Sequence, residues 1–124
     1  MLKKKAKNLL DEVETLIGTN ASFEGTIKTD KVIRIDGKIS GNIYAGGVII
    51  GETAEITGDI ESNVILAGGT IKVNINAAET IQVLQSAKIF GDIKTNSLAI
   101  AEGAQFYGKS SMAIKETING AETK

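Results

Sequence analysis

The chain of 124 residues contains no cysteine, no histidine and no proline. The absence of cysteine excludes disulfides, thiolate chemistry and cysteine-based metal sites, and it is compatible with a reducing compartment. The absence of histidine removes the commonest metal ligand and the commonest general base. These two absences argue against most catalytic and metal-binding classes of protein.

An excess of charge and a long apolar run are also missing. The 14 basic and 15 acidic residues leave a formal net charge of −1, so no strong overall field predicts binding to nucleic acid. No run of about 18 apolar residues is present, so the sequence predicts no membrane span. The opening stretch MLKKKAKNLL lacks the apolar run and cleavage site of a secretory signal, and we therefore expect a cytoplasmic protein.

The sequence does contain a repeated phrase, apolar-x-Gly-x-Ile, that recurs in steps of 15 to 18 residues. Apolar residues alternate within each copy, which is typical of β-strands. The central positions of the six copies are Gly25, Gly41, Gly58, Val73, Gly91 and Gly108. The second apolar pairs, found before most copies, are Val48/Ile50, Val64/Leu66, Ile81/Val83 and Leu98/Ile100.

A period near 17 residues with short alternating stretches predicts a single all-β domain, a β-solenoid of about six coils with three short strands per coil. We expect its inward side chains to form ladders along the axis. The first ladder is Phe23, Ile39, Ile56, Ile71, Ile89 and Phe106. The second ladder is Ile27, Ile43, Ile60, Ile75 and Ile93, followed by Ser110, where we expect the core to end.

The central glycine of the phrase has two possible explanations. Val73 occupies this position in the fourth copy, and a β-branched residue would be strained at positive φ. We therefore expect ordinary strand geometry, with the residue facing inward where space is short. A β-bulge at the other five positions is the alternative.

Enzymes built on solenoids are a further alternative. Left-handed hexapeptide acyltransferases fit only around Gly51 and use a histidine that the chain lacks. Asp59 and Asp92 fall in one outward column about 10 Å apart, a separation that inverting glycosidases use. The whole column is Thr26, Asn42, Asp59, Asn74, Asp92 and Lys109. Because this composition is typical of a solvated strand face, we expect no catalytic, cofactor or metal site, and no phosphate-binding loop is recognisable.

The first and last coils of a solenoid have unpaired backbone groups that can bind another chain. Phenylalanine replaces isoleucine at both ends of the first ladder, at Phe23 and Phe106. Phe90 and Tyr107 add aromatic surface near the carboxyl end. We predict that these four residues form a polymerisation interface. The alternative is that Phe23 and Phe106 only fill the wider ends of the core.

The stretch TLIGTNASFEG (Thr15–Gly25) and the I-x-G-x-I units across residues 16–112 resemble the bactofilins, a family of bacterial cytoskeletal proteins. The resemblance implies a right-handed β-helix over residues 16–112, between short tails at 1–15 and 113–124. It also implies nucleotide-independent, end-to-end assembly into non-polar filaments that serve as scaffolds. In the family a phenylalanine of the last coils supports polymerisation, and Phe106 matches it by position.

The segment MLKKKAK resembles the apolar-plus-lysine membrane anchor of many bactofilins. The predicted membrane-binding residues are Met1, Leu2, Lys3, Lys4, Lys5 and Lys7. Each lysine contributes about 1 kcal/mol at an anionic membrane, and a filament would multiply the contact through avidity. Alternatively, residues 2–16 form an amphipathic helix that caps the first coil, or a solvated tail.

The sequence therefore predicts a membrane-associated cytoskeletal scaffold that polymerises through its terminal coils. Cell shape, placement of cell-wall enzymes and polar organisation are the implied roles, with cell-wall-modifying or polar proteins as candidate partners. The alternative is a non-polymerising module that presents its flat faces to a protein or glycan.

Overall fold

The structure, a computed structural model, describes residues 13–72 and 74–118, with side chains as far as residue 109. In this part of the chain all regular structure is β-strand, and twelve strands join in one parallel sheet. The strands are β1 (Val13–Ile17), β2 (Ser22–Lys28), β3 (Val32–Ile35), β4 (Lys38–Ile50), β5 (Glu55–Thr57), β6 (Ile60–Ala67), β7 (Thr70–Lys72), β8 (Ile75–Val83), β9 (Lys88–Phe90), β10 (Ile93–Ile100), β11 (Gln105–Tyr107) and β12 (Ser110–Ile118). The expected all-β solenoid of about six coils is confirmed.

Each coil has three faces. The first face carries the short strands, of which β5, β7, β9 and β11 have three residues each. The second and third faces are the two halves of β6, β8, β10 and β12, with a corner marked by register shifts such as that between Ser62 and Val64. Strand β4 runs across all three faces of the second coil. Strand β1 pairs with β3 and adds a third face before the first full coil.

The two inward ladders are present in the predicted register. Their interior isoleucines are at most 2% exposed. The end residues Phe23, Ile27 and Phe106 are half-buried and pack against this core. Complete burial of an isoleucine side chain stabilises a protein by about 1.5–3 kcal/mol, so the ladders account for much of the stability of the fold.

On the third face of the third coil, the second apolar pair Val64/Leu66 does not supply the inward residues. Ile65 and Ala67 are the inward residues, in register with Val48 and Ile50. Four apolar residues follow one another here, so alternation within the coil does not fix which face each side chain occupies. The neighbouring coils fix it through their register.

The repeated glycines lie at the corner between the first and second faces, which we call the glycine corner. The expectation of ordinary strand geometry with an inward residue is wrong, since φ is +147° at Gly41 and +136° at Gly58. A Cβ built on Gly58 would lie 1.7 Å from the carbonyl oxygen of Gly41 in the preceding coil. Both the backbone conformation and the close approach of two coils therefore require glycine. Val73, at the equivalent position, lies outside the described residues.

The outward column beside the glycine corner makes hydrogen bonds from coil to coil. The Oδ1 atoms of Asn42 and Asn74 accept from the backbone N–H groups of Asp59 and Asp92, at 3.3 and 3.2 Å. Oδ1 of Asp92 accepts from the N–H of Lys109 at 3.2 Å. These bonds satisfy backbone donors where the chain turns and the ladder is interrupted. Asp92 therefore has a structural role, since its carboxylate accepts a hydrogen bond from the backbone of the next coil.

Strand pairing extends beyond both ends of residues 16–112, the range expected for the β-helix. Strand β1 begins at Val13, and β12 pairs with β10 as far as Ile118. In β12, Ser110 and Glu116 take the register positions of Ile93 and Leu98, so polar residues occupy two columns that are apolar in the preceding coil. At the last coil, two columns that hold apolar residues in the preceding coil therefore hold polar residues.

We expect Gly58→Ala to destabilise the protein by at least about 2 kcal/mol, because the new Cβ meets a backbone oxygen at a strained φ. The measurement is the urea midpoint followed by circular dichroism. The control is Gly18→Ala, where a Cβ would have no atom within 4 Å and should change stability by less than about 0.5 kcal/mol. Equal midpoints for the two variants would contradict the steric role of the glycine corner.

Candidate polymerisation interface

The two ends of the described solenoid present strands that pair on one side only. At the amino end these are β1 and β2, and at the carboxyl end they are β11 and β12. Each such edge has a row of backbone N–H and C=O groups without a partner in the sheet. The ends are therefore the places where the ladder pattern of the interior can be continued by another chain.

At the carboxyl end, an aromatic cluster covers the corner of the last coil. Phe106 follows Ile89 in the inward ladder and is half-buried against the core. Tyr107 and Phe90 face outward, 56% and 41% exposed, and their rings stack with centroids 5.0 Å apart and an interplanar angle of 8°. The hydroxyl of Tyr107 donates to Oε1 of Gln105 at 3.1 Å. Three of the four predicted interface residues thus lie together.

The fourth residue, Phe23, lies at the opposite end of the same ladder. Five coil steps of about 4.8 Å place it roughly 24 Å from Phe106. Around it the amino end is aliphatic, with Ile17 and Ile27 half-buried and Leu16 61% exposed. Leu16 was not among the predicted interface residues, although its place in the alternating stretch Val13–Ile17 could have identified it. The predicted set therefore divides into two separate end surfaces.

A shallow groove lies on the second face. It is lined by side chains that include Lys28, Tyr44 and Glu61. The Lys28 ammonium lies 5.7 Å from the centroid of the Tyr44 ring, within the range of a cation–π contact. Among residues 13–72 and 74–118, no group of three or more acidic side chains is arranged to hold a metal ion.

Comparison with known proteins indicates the family of the chain. A family model described as "Bactofilin: Polymer-forming cytoskeletal" matches residues 15–111. The chain belongs to the bactofilin family. Two curated bactofilins of Myxococcus xanthus (strain DK1622) are similar to it. BacO is 29% identical over 103 residues, covering 82% of each chain. BacP is 26% identical over 106 residues, covering 82% of this chain and 43% of BacP.

Among solved structures, the fold matches a bactofilin of Thermus thermophilus seen by cryo-electron microscopy in double helical filaments. The TM-score is 0.74 at 25% identity, and the match covers 81% of this chain and all of the other. The predicted family is therefore confirmed, and the family is cytoskeletal and polymer-forming.

The predicted membrane-binding residues are Met1, Leu2, Lys3, Lys4, Lys5 and Lys7, and all six lie outside the described residues. Within the described part of the chain, no helix has the length and apolarity needed to cross a membrane. Membrane association therefore remains a prediction.

We expect Phe106→Arg to dissolve filaments while leaving the fold intact. An arginine at the end of the inward ladder must lose its hydration in a dry contact, at a cost of several kcal/mol if it finds no partner. The measurements are electron microscopy, sedimentation and the circular dichroism spectrum.

The control is Tyr44→Arg, which changes an aromatic residue that is 37% exposed and lies on the outward side of the second coil, four coil steps from the coil of Phe106. It should leave filaments unchanged. If Phe106→Arg unfolds the protein, Tyr107→Arg tests the same end at a more exposed side chain. Intact filaments in a folded Phe106→Arg variant would show that this residue only fills the core or that the contact lies elsewhere.

Proposed function

We propose that the protein is a cytoskeletal subunit that assembles end to end, without nucleotide, into non-polar filaments at the inner face of the cytoplasmic membrane. The observation that carries this proposal is the character of the two ends. Both have unpaired strand edges beside half-buried aromatic side chains at the ends of a continuous apolar core. Stacking of ends would extend the ladder and cover this apolar surface.

The energetics favour assembly only when the aromatic surface contributes. An end face of three short strands offers about ten backbone hydrogen bonds, each contributing about 0.5–1.5 kcal/mol net. The loss of translational and rotational freedom on association costs about 4–15 kcal/mol. Because these amounts are similar, burial of Phe106 and Tyr107, or of Phe23 and Leu16, decides the balance.

The chemical difference between the ends supports contacts between like ends. The carboxyl end carries the stacked Phe90–Tyr107 pair, whereas the amino end is aliphatic around Leu16 and Ile17. A two-fold axis across each junction places identical surfaces together, so that each junction joins two subunits only. Strands at such a junction would run antiparallel, although every pair among the described strands is parallel. The resulting filament would have no polarity.

A scaffold of this kind would organise other proteins along the membrane. Cell shape, placement of cell-wall enzymes and polar organisation are the roles that we propose. Support comes from the cytoskeletal description of the family and from the flat, repetitive faces of the solenoid.

A second candidate function is a non-polymerising binding module. The groove that contains Lys28 and Tyr44 favours it, because an aromatic ring beside charged and amide groups is suited to a polar partner such as a glycan. Electron microscopy of the purified protein separates the two functions. Long filaments at micromolar concentration support the first, and a dispersed monomer supports the second.

We predict that assembly is indifferent to nucleotide, because the described glycines lie at corners between strands and form no phosphate-binding loop at a helix. The pelleted fraction should be equal with no nucleotide, with ATP and with GTP. A several-fold rise with either nucleotide would contradict this prediction.

We predict that replacing Lys3, Lys4 and Lys5 with glutamate abolishes co-sedimentation with anionic vesicles while filaments persist. Three reversed charges turn an attraction of about 1 kcal/mol per lysine into a repulsion. Neutral phosphatidylcholine vesicles are the control, since they should bind neither version. Unchanged binding to anionic vesicles would exclude the lysines as the attachment.

A further inference from the structure

The backbone of Phe106, in the last short strand β11, faces away from the preceding coil. The N–H of Gln105 donates to the carbonyl oxygen of Ala87 at 3.0 Å. The carbonyl oxygen of Tyr107 accepts from the N–H of Gly91 at 3.1 Å. Because the backbone groups of successive strand residues point to opposite edges, the N–H and C=O of Phe106 point to the edge of β11 that has no partner among the described strands.

The side chains of β11 divide between the two sides of the strand. Phe106 follows Ile89 in the inward ladder, whereas Gln105 and Tyr107 are exposed. Directly opposed residues of an antiparallel pair lie on the same side of the sheet. In a contact between two copies of β11, an inward residue can therefore meet only an inward residue. This condition restricts a two-fold junction to alignments that are centred on a residue of the strand and not between two residues.

The three possible centres differ in how much of β11 they pair. An alignment centred on Tyr107 opposes Phe106 to Gly108, and one centred on Gln105 opposes Phe106 to Ala104. Both Gly108 and Ala104 lie outside the strand, which is Gln105–Tyr107. An alignment centred on Phe106 opposes all three residues of one strand to all three of the other. It also places the two phenylalanine side chains together at the end of the core.

We propose that two copies of the protein join at their carboxyl ends through an antiparallel pair of β11 strands centred on Phe106. The inference rests on the end-to-end assembly proposed above and assigns the residue contacts of one of its junctions. Phe106 exchanges two backbone hydrogen bonds with Phe106 of the second copy, from N–H to C=O in each direction. The two half-buried rings cover each other and close the inward ladder.

On the outward side, this alignment brings Tyr107 opposite Gln105 of the second copy, twice in each junction. The two side chains suit each other, since within one chain the Tyr107 hydroxyl donates to Oε1 of Gln105 at 3.1 Å. In the junction the same hydroxyl can donate across the two strands. The Phe90 ring supports Tyr107 from the preceding coil by stacking at 5.0 Å. None of the three residues of β11 is charged, so the contact removes no charged group of this strand from water.

A head-to-tail junction is the competing arrangement. It would continue the parallel register of the interior and set Phe106 on Phe23 of the next copy. Tyr107 would then lie over Glu24, because these residues belong to the same outward column. The face of an aromatic ring carries negative potential and does not favour a carboxylate. The chemistry of the outward column therefore favours the contact between like ends.

Disulfide formation can test the alignment because the chain contains no cysteine. Gln105→Cys and Tyr107→Cys are made as separate full-length chains, refolded together from urea and oxidised after assembly. Opposed residues on either side of a hydrogen-bonded pair have Cα atoms about 4.5 Å apart, a distance that a disulfide can bridge. Two copies of the same variant place their cysteines two residues apart along the strands, at roughly 8 Å, which is too far.

We expect the mixture to form disulfide-linked dimers at least about tenfold faster than either variant alone, as measured on non-reducing gels. The matched control mixes Gln105→Cys with Thr57→Cys, which lies in the same outward column as Tyr107 but in an interior coil. This control should link as slowly as the single variants. Electron microscopy of each sample establishes that filaments are present.

Other alignments give different products. Rapid linking of Tyr107→Cys alone or of Gln105→Cys alone would move the centre of the junction and overturn the inference. Linking of Tyr107→Cys to Glu24→Cys would demonstrate a head-to-tail junction and overturn it as well. Filaments in which none of these disulfides forms would overturn the inference and leave end-to-end assembly standing. Absence of filaments from the unchanged chain would remove both.

A pair of charge variants provides a second test should a cysteine prevent assembly. Gln105→Lys with Tyr107→Glu in one chain opposes lysine to glutamate at both outward positions of the junction. Gln105→Glu with Tyr107→Glu opposes glutamate to glutamate at the same positions. Because opposite charges across a strand pair are favourable and like charges are not, we expect the first variant to pellet several-fold more than the second. Equal pelleting would contradict the alignment.

Discussion

The in-register parallel pairing of each coil with the next is the interaction on which the rest of the structure depends. It places identical positions of the repeat directly above one another, so that an isoleucine in one coil extends an isoleucine column in the next. The same alignment makes each glycine corner meet the one before it, where the carbonyl oxygen of Gly41 leaves no room for a Cβ on Gly58. It also lets Asn74 accept a hydrogen bond from a backbone N–H of the following coil. One constraint therefore accounts for the apolar, glycine and polar columns of the repeat.

This dependence explains which features the sequence could predict. Spacing and alternation lie within the sequence, so the solenoid, the number of coils and the ladders of Ile56 and Ile60 were predictable. The inward residues of β6 were not, because Val64–Ala67 has no alternation of its own. The glycine corner was misinterpreted because its steric demand arises between coils, and Val73 suggested that ordinary strand geometry was sufficient.

From the sequence, the candidate interface could be predicted only as a change of residue type at the two ends of the first ladder. Phenylalanine at both ends of an isoleucine ladder indicated that the ends differ from the interior. The division into two end surfaces, one with a stacked aromatic pair and one with Phe23 among aliphatic side chains, required the register, which places Phe90 beside Tyr107 and Leu16 beside Arg34. Ile49 is 4% exposed, and this burial could not have been foreseen because sequence alternation with Val48 and Ile50 assigns it to the outer side of β4.

The ends of the solenoid show how one kind of pairing can serve both folding and assembly. Inside the subunit, each junction between coils combines a full set of backbone hydrogen bonds with buried isoleucines, each contributing about 1.5–3 kcal/mol. At the last coil, Ser110 and Glu116 take positions that are apolar in the coil before. A junction there has the same backbone groups but less apolar burial at these columns, and it must also offset the entropy of association. In a filament built through this end, contacts between subunits would therefore be weaker than contacts between coils, and the filament could disassemble while its subunits stay folded.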